Sequence, residues 1–193
     1  MKKILFILLF LPTISFGQTK QDLFYLIDKF PVDKSGNIDF CIIDSVKNAS
    51  KESLHIRAIQ AINYFFKDSP SPIMPVYNET NDLIIYRGRF GRYERTKKTF
   101  SSVLNTYIYR FTLKIEYEDN WYKIDFYDIS ESIENITTDL SDLLNKDYYN
   151  RARLTVSSLK AKYNSILFIY NYLITKTNSI DEYMRQVEKK PGK

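Results

Sequence analysis

The chain has 193 residues, of which 44% are hydrophobic and 16% aromatic, with 28 Lys and Arg set against 23 Asp and Glu. Sixteen tyrosines and 13 phenylalanines supply enough apolar area for one domain with a real core. A single cysteine excludes an internal disulfide, and one cysteine with one histidine excludes a zinc site built from those residues in one chain, so no metal and no cofactor is expected.

The first 17 residues read as a cleavable secretory leader. Met1-Lys2-Lys3 gives a positive start, Ile4 to Phe16 is apolar, and Ser15-Phe16-Gly17 places small residues at the −3 and −1 positions of a cleavage site. The apolar run is about 13 residues, too short for the roughly 20 that a spanning helix needs. Cleavage before Gln18 leaves 26 basic against 23 acidic residues, a net charge of +3. That is too small to demand a polyanionic partner. Cys41 lies far from the cleavage site, where no lipid anchor attaches, and no second transmembrane run follows. The expected product is exported, periplasmic or secreted from a Gram-negative bacterium. The Asn-x-Ser/Thr sites at Asn48, Asn78 and Asn135 matter only in a eukaryotic route.

Residues 18–36 form an amphipathic lead-in that ends in the turn-like Asp33-Lys34-Ser35-Gly36. From Asn37 to Val46, Ile38, Phe40 and Ile42 alternate with Asp39 and Cys41, which predicts a half-buried strand with Cys41 as a buried thiol, or alternatively as an intermolecular disulfide partner. Asn48-Ala49-Ser50 offers a cap for a helix over 51–67, with Leu54, Ala58, Ala61, Ile62 and Phe65 on one face and Lys51, Glu52, Arg57, Gln60 and Asn63 on the other. Asp68 to Pro72 stops it. Strand signals follow at 73–77, 83–93, 106–117 and 121–129, with Asp119-Asn120 as a hairpin turn. Beyond Ser130 the period turns helical: a short helix around Ile136, Leu140 and Leu143, a longer one over 152–175, and a last one capped by Ser179-x-x-Glu182. The charged tail after Glu188 should fray.

The expected fold is α+β: a TBP-like antiparallel sheet of about five strands, in β-α-β-β-β-β-α order, packed against one long helix with further C-terminal helices. The expected division is 1–17 leader, 18–36 lead-in, 37–130 α+β domain and 131–190 C-terminal helices. Five stretches carry a resemblance: 30–38, Ala61-Ile62-Asn63-Tyr64-Phe65-Phe66, Asp82 to Gly88, Tyr109 to Ile115, and Asp125-Phe126-Tyr127-Asp128-Ile129. The chain resembles the exported bacterial domain family of unknown function with a TATA-binding-protein-like fold, common in Bacteroidota. The resemblance covers about 30–130, implies that fold and compartment, and carries over no catalytic residue. Fold alone implies no DNA binding.

Several constellations invite a functional reading. Arg87, Arg89, Arg92, Arg95, Lys97 and Lys98 surround interleaved aromatics and face one acid, Glu94. They are candidates for contact with an anionic surface; the bland account is a solvated strand end whose glycines ease a bulge. Nucleic acid is an unexpected partner for an exported chain. Asp33 to Asp39 mimics a calcium loop but puts Ile38 at the obligatory glycine, so a turn is expected. His55 is expected on the polar side of its helix; with Ser50 it is the one route to a Ser-His arrangement. Glu116, Glu118, Asp119, Asp125 and Asp128 are carboxylates where strand and turn chemistry already ask for polar residues. Trp121 and Tyr127 fall opposite Tyr122 and Phe126, a candidate aromatic patch for a ligand or partner. The leading expectation is a non-catalytic exported module that binds an envelope component or an apolar ligand. The alternatives are a hydrolase using carboxylates or Ser50/His55, and an anionic-surface binder using 87–98.

Overall fold

The computed structural model describes residues 20–34, 38–67, 76–77, 82–98, 101–134 and 136–186. The leader, the turn residues Ser35 to Asn37, the Asp68–Pro72 breaker with the first residues of the strand expected at 73–77, the Asn78 and Asn135 sites and the tail from Val187 lie outside them. Helix α1 (20–27) leads into β1 (Phe40–Ser45), α2 (Lys51–Phe65), β2 (Val76–Tyr77), β3 (Leu83–Lys98), β4 (Ser101–Glu118), β5 (Trp121–Ile133) and β6 (Ile136–Asp139), followed by α3 (Leu140–Leu143), α4 (Lys146–Arg151) and α5 (Val156–Arg185). The strands form one antiparallel sheet in the order β1-β5-β4-β3-β2, with β6 also paired to β5. The expected α+β order holds, with one more strand than expected.

One face of the sheet carries the rings. Tyr109, Phe111, Leu113, Ile115 and Tyr117 of β4 and Tyr122, Ile124 and Phe126 of β5 are fully or almost fully buried. The covering layer is α2 and the 30-residue α5, which lies over β1 and β5 as well as against α2. Phe90 stacks on Tyr172 of α5 with centroids 3.6 Å apart and planes at 11°, and on Tyr109 at 4.9 Å. Burial of such rings is worth about 2–3 kcal/mol each before entropy is set against it.

The two long helices cap each other. Arg57 of α2 donates to the Met184 carbonyl in the last turn of α5 at 2.9 Å, and Lys176 of α5 donates to the Phe65 carbonyl at the end of α2 at 2.9 Å. Cations at helix C-termini meet orphan carbonyls and the negative end of the dipole. Arg57 is therefore buried, not on a solvated face as helical spacing suggests. The start of α2 is held by Ser50, whose Oγ accepts from the Ser53 amide at 3.2 Å, and by Asp119 of the β4–β5 turn, whose Oδ1 accepts from the Lys51 amide at 2.8 Å. Asn120 takes φ 67° to make that turn.

The structure corrects the reading beyond Ser130. No helix forms around Ile136: β5 runs on to Ile133, and Ile136–Asp139 pairs back on it as β6, with Ile136 exposed. Leu140–Leu143 alone forms the short helix. Ser179-x-x-Glu182 does not cap a new helix either. It lies within α5, which has no Gly or Pro to break it, and Ile166, Ile169, Leu173, Ile180 and Met184 continue one buried stripe.

Strand β3 also corrects the expectation of a glycine-eased bulge, because its register with β4 is unbroken from Leu83 to Lys98. Gly88 instead admits the Phe111 ring: a Cβ there would overlap Phe111 Cζ and come within 2.7 Å of Tyr86 Cε1. Gly88→Ala is therefore expected to cost about 1–3 kcal/mol in urea unfolding, and the exposed Gly91→Ala less than about 0.5 kcal/mol. Equal losses at the two positions would refute the close-approach role.

Candidate functional site

The site geometry starts from one extra residue. Arg110 and Thr112 of β4 pair with Ser130 and Tyr127 of β5, so two residues of β5 stand against one of β4. Asp128 sits at this bulge with φ 50°, a left-handed conformation that Asp adopts more readily than most residues. The bulge resets the alternation. Tyr122, Ile124 and Phe126 face the helices before it; Ile129 and Glu131 face them after it.

The same region has a gap on its free edge. Strand β1 pairs with β5 only as far as Phe126, and β6 only from Ser130 onward. Residues 127–129 thus lie between the ends of two partner strands. A cleft of about 830 Å³ opens there, lined by Ile27, Phe30, Val32, Ile38, Tyr127, Ile129, Leu140 and Leu144, with Asp28, Asp128, Ser130, Asp139 and Ser141 as its polar lining. The lead-in contributes one wall because Leu23, Leu26 and Phe30 are buried in the core and hold α1 in place. Asp28 is paired with Lys146 at the start of α4. Its volume falls in the range of a small-molecule site, and its lining is mixed, with aliphatic and aromatic side chains beside three carboxylates and two serines.

A second, smaller depression of about 350 Å³ lies on the other side of the bulge, on the helix-free face of the sheet. It is lined by Arg87 and Arg89 of β3, Arg110 and Thr112 of β4, and Asp128 and Ser130 of β5. Asp128 and Ser130 belong to both concavities.

The basic run does not form one face. Arg87 and Arg89 point away from the helices. Arg92 lies on the ring-bearing side, paired with Glu94 and 4.8 Å from the Tyr107 ring centroid. Arg95 is exposed further along β3, and Lys97 and Lys98 stand at its far end, in register with Ser102 and Ser101. Strand alternation therefore divides the run, and Arg92 does not share a face with Arg87 and Arg89. Arg110, which sequence reading passed over, is brought opposite Arg89.

The aromatic patch is divided too. Trp121 and Tyr127 are half-buried on the same face of β5 but six residues, about 20 Å, apart. Between them run Lys123 and Asp125, 3.4 Å apart, with Lys123 also 3.9 Å from Glu116 and Lys114 2.8 Å from Glu116. Trp121 Nε1 donates to Glu118 at 3.2 Å. Tyr127 lines the larger cleft.

Of the candidate catalytic groups, Ser50, His55, Glu116, Asp119 and Asp125 hold structural posts, whereas Asp128 lines both concavities. His55 is half-buried, with its Nδ1 2.5 Å from the Tyr117 hydroxyl, while Ser50 caps α2. Asp119 caps the same helix, and Glu116 and Asp125 belong to the ion-pair ladder. Cys41 is half-buried on the helix-free face of β1, and burial raises its thiol pKa, which lowers its thiolate fraction. Among the described residues no cluster of His, Cys, Asp or Glu could hold a metal ion.

The buried polar group that sequence reading missed is Glu131, 2% exposed. Ser165 of α5 donates to it, the Tyr109 hydroxyl lies 2.7 Å from Ser165 Oγ, and Lys162 Nζ stands 3.5 Å from its other oxygen. Ser165 and Tyr109 are 1% and 0% exposed, so this chain of groups ties helix to sheet with no route for a substrate.

Comparison with protein-family models finds no match, nor does comparison with curated proteins. Two solved structures are similar. One is a DUF4468 family protein from Bacteroides ovatus, 9% identical, with TM-score 0.58 over 84% of this chain and 94% of that one. The other is a TBP-like protein from Parabacteroides distasonis, 15% identical, with TM-score 0.46 over 78% and 96%. The first likeness shows a shared fold, that of an uncharacterised Bacteroidota domain, in line with the resemblance drawn from the sequence.

Two outcomes test this account. Glu131→Ala leaves the buried Ser165 hydroxyl without its acceptor and is expected to cost about 1–3 kcal/mol in urea unfolding, whereas Glu131→Gln, which keeps an acceptor for Ser165, costs less. A neutral Glu131→Ala would remove the network from the core. Burial also holds the Tyr149 phenol up to about 12 against the usual 10, and pushes Tyr109, Tyr122 and Tyr172 up as well. The folded state then keeps protons that the unfolded chain loses, so stability is full below pH 10 and falls as pH rises toward 12. Tyrosinate absorbance should rise together with loss of helical circular dichroism; phenols titrating well ahead of unfolding would contradict their burial.

Proposed function

We propose that this protein is a non-catalytic binding module of the bacterial envelope, exported by its leader, and that the cleft beside the β5 bulge takes a small apolar ligand. The observation that carries the reading is the cleft itself: about 830 Å³, walled by Ile27, Phe30, Ile38, Ile129, Leu140 and Leu144, at a place where the sheet edge is left unoccupied between β1 and β6. The aliphatic part of the wall gains affinity by excluding water, and the hydroxyls and carboxylates that share the lining, Asp28, Asp128 and Asp139 among them, set orientation. The candidates Ser50, His55 and Asp119 support the reading, because they are committed to helix caps and an internal hydrogen bond. Export is supported by the charged start, short apolar run and small-residue exit of residues 1–17. Among the described residues no helix is long and apolar enough to cross a membrane.

Native mass spectrometry of protein exported through its own leader should show a co-purifying apolar molecule. An apolar fluorescent dye should compete with it, and Tyr127→Ala should weaken dye binding about tenfold, a loss of roughly 1.4 kcal/mol. Tyr93→Ala, at an exposed ring on β3, should leave binding unchanged. A cleft that retains no molecule and binds dye no better than Tyr127→Ala would refute the proposal.

A further inference from the structure

The depression on the helix-free face has a chemistry of its own. Arg89 and Arg110 are directly opposed in the β3–β4 register and point to the same side, with Arg87 two residues along β3. Like charges placed opposite each other across strands are destabilising, so a sheet accepts such a pair at a cost in stability. Acid elsewhere on this face is matched to base: Glu116 and Asp125 are answered by Lys114 and Lys123. Three arginines and one carboxylate, Asp128, line the depression.

The placement is held by the fold. Gly88 and Phe111 turn inward between the arginines, and Gly88 brings the two strands' ring packing close beneath them. Arg110 donates to Ser132 Oγ, and Ser132 lies 2.8 Å from Thr137 of β6, which fixes the guanidinium over the β5 side. Thr112 and Ser130 add hydroxyls to the lining. Guanidinium groups present planar forks of N–H donors that match the oxygens of a phosphate.

We infer that Arg87, Arg89 and Arg110 form a binding site for a single phosphate group, carried either by a small soluble phosphate ester or by a phospholipid headgroup. The site is separate from the apolar cleft and lies across the bulge from it. It is narrower than the basic run as a whole: Arg92 faces the other way and is excluded, and Arg95 lies beyond it.

Calorimetry with inorganic phosphate and methyl phosphate, and co-sedimentation with phosphatidylglycerol vesicles, test it on the whole exported chain. Arg87→Gln and Arg110→Gln should each weaken binding about tenfold, the range for a charge-assisted hydrogen bond, while Arg95→Gln stays within about twofold. Arg87 is exposed, so Arg87→Gln reads the site even if loss of the Arg110–Ser132 contact perturbs folding. Saturable binding of the free phosphates assigns a soluble ester; binding of vesicles alone, lost in Arg87→Gln, assigns a headgroup. Failure of both probes, or equal losses in Arg87→Gln and Arg95→Gln, would overturn the inference, the second by reducing it to diffuse charge. Dye binding in the apolar cleft should be unaffected by Arg87→Gln, which keeps the two sites' failures distinct.

Discussion

One residue of register shift, at Asp128, governs how this molecule is put together. Before it, the even-numbered residues of β5 face the helices; after it, the odd-numbered ones do. Without the shift Ile129 and Glu131 would face away from the core. With it, Ile129 floors the larger cleft and Glu131 meets Ser165 on α5. The shift also coincides with the point where β1 stops and β6 starts, so the sheet edge gains an opening instead of a continuous partner. Both concavities share Asp128 and Ser130 because both are products of this one irregularity. Bulges elsewhere serve to bend a strand and re-aim its side chains, and the same geometry acts here.

The helical layer turns that sheet into a rigid frame. The mutual capping of α2 and α5 by Arg57 and Lys176 fixes the antiparallel pair lengthwise. At the far end of α5, Tyr122 donates to Asp181 at 2.6 Å, while Arg185 bridges Asp181 and Asp44 at 2.7 and 2.5 Å and so reaches β1. The exposed part of such an ion network contributes little to stability. The buried hydroxyl and carbonyl contacts contribute more, because breaking them leaves polar groups without water. The concavities lie away from these locks, at the sheet edge and on the bare face, where side chains are accessible without opening the core.

Particular residues show how far the site was legible in the sequence. Tyr127 was picked out because it alternates away from Tyr122 and Phe126, and it does line the larger cleft; its supposed partner Trp121 does not, because six strand residues span about 20 Å. Arg87 and Arg89 were picked out from a run of cations, but the run could not say that Arg92 turns the other way or that Arg110, 21 residues after Arg89, stands opposite it. Glu131 escaped notice for a sharper reason. Its inward orientation depends on a bulge, and a bulge is a property of two paired strands that one strand's alternation does not encode.

The amino-acid sequence by itself determined the elements that local periodicity controls: the α2 stripe, the β4–β5 hairpin about Asp119-Asn120, the ring-bearing face of 107–126, and the α+β order that follows from them. These depend on spacing within a dozen residues, which is written directly in the chain. Only the tertiary structure decided that α5 runs unbroken past Ser179, that Arg57 and His55 are drawn inward, that Ile136–Asp139 is strand and not helix, and that two concavities flank Asp128. Each of those outcomes depends on partners far away in sequence, whose burial and hydrogen bonds outweigh the local preference of the residues concerned.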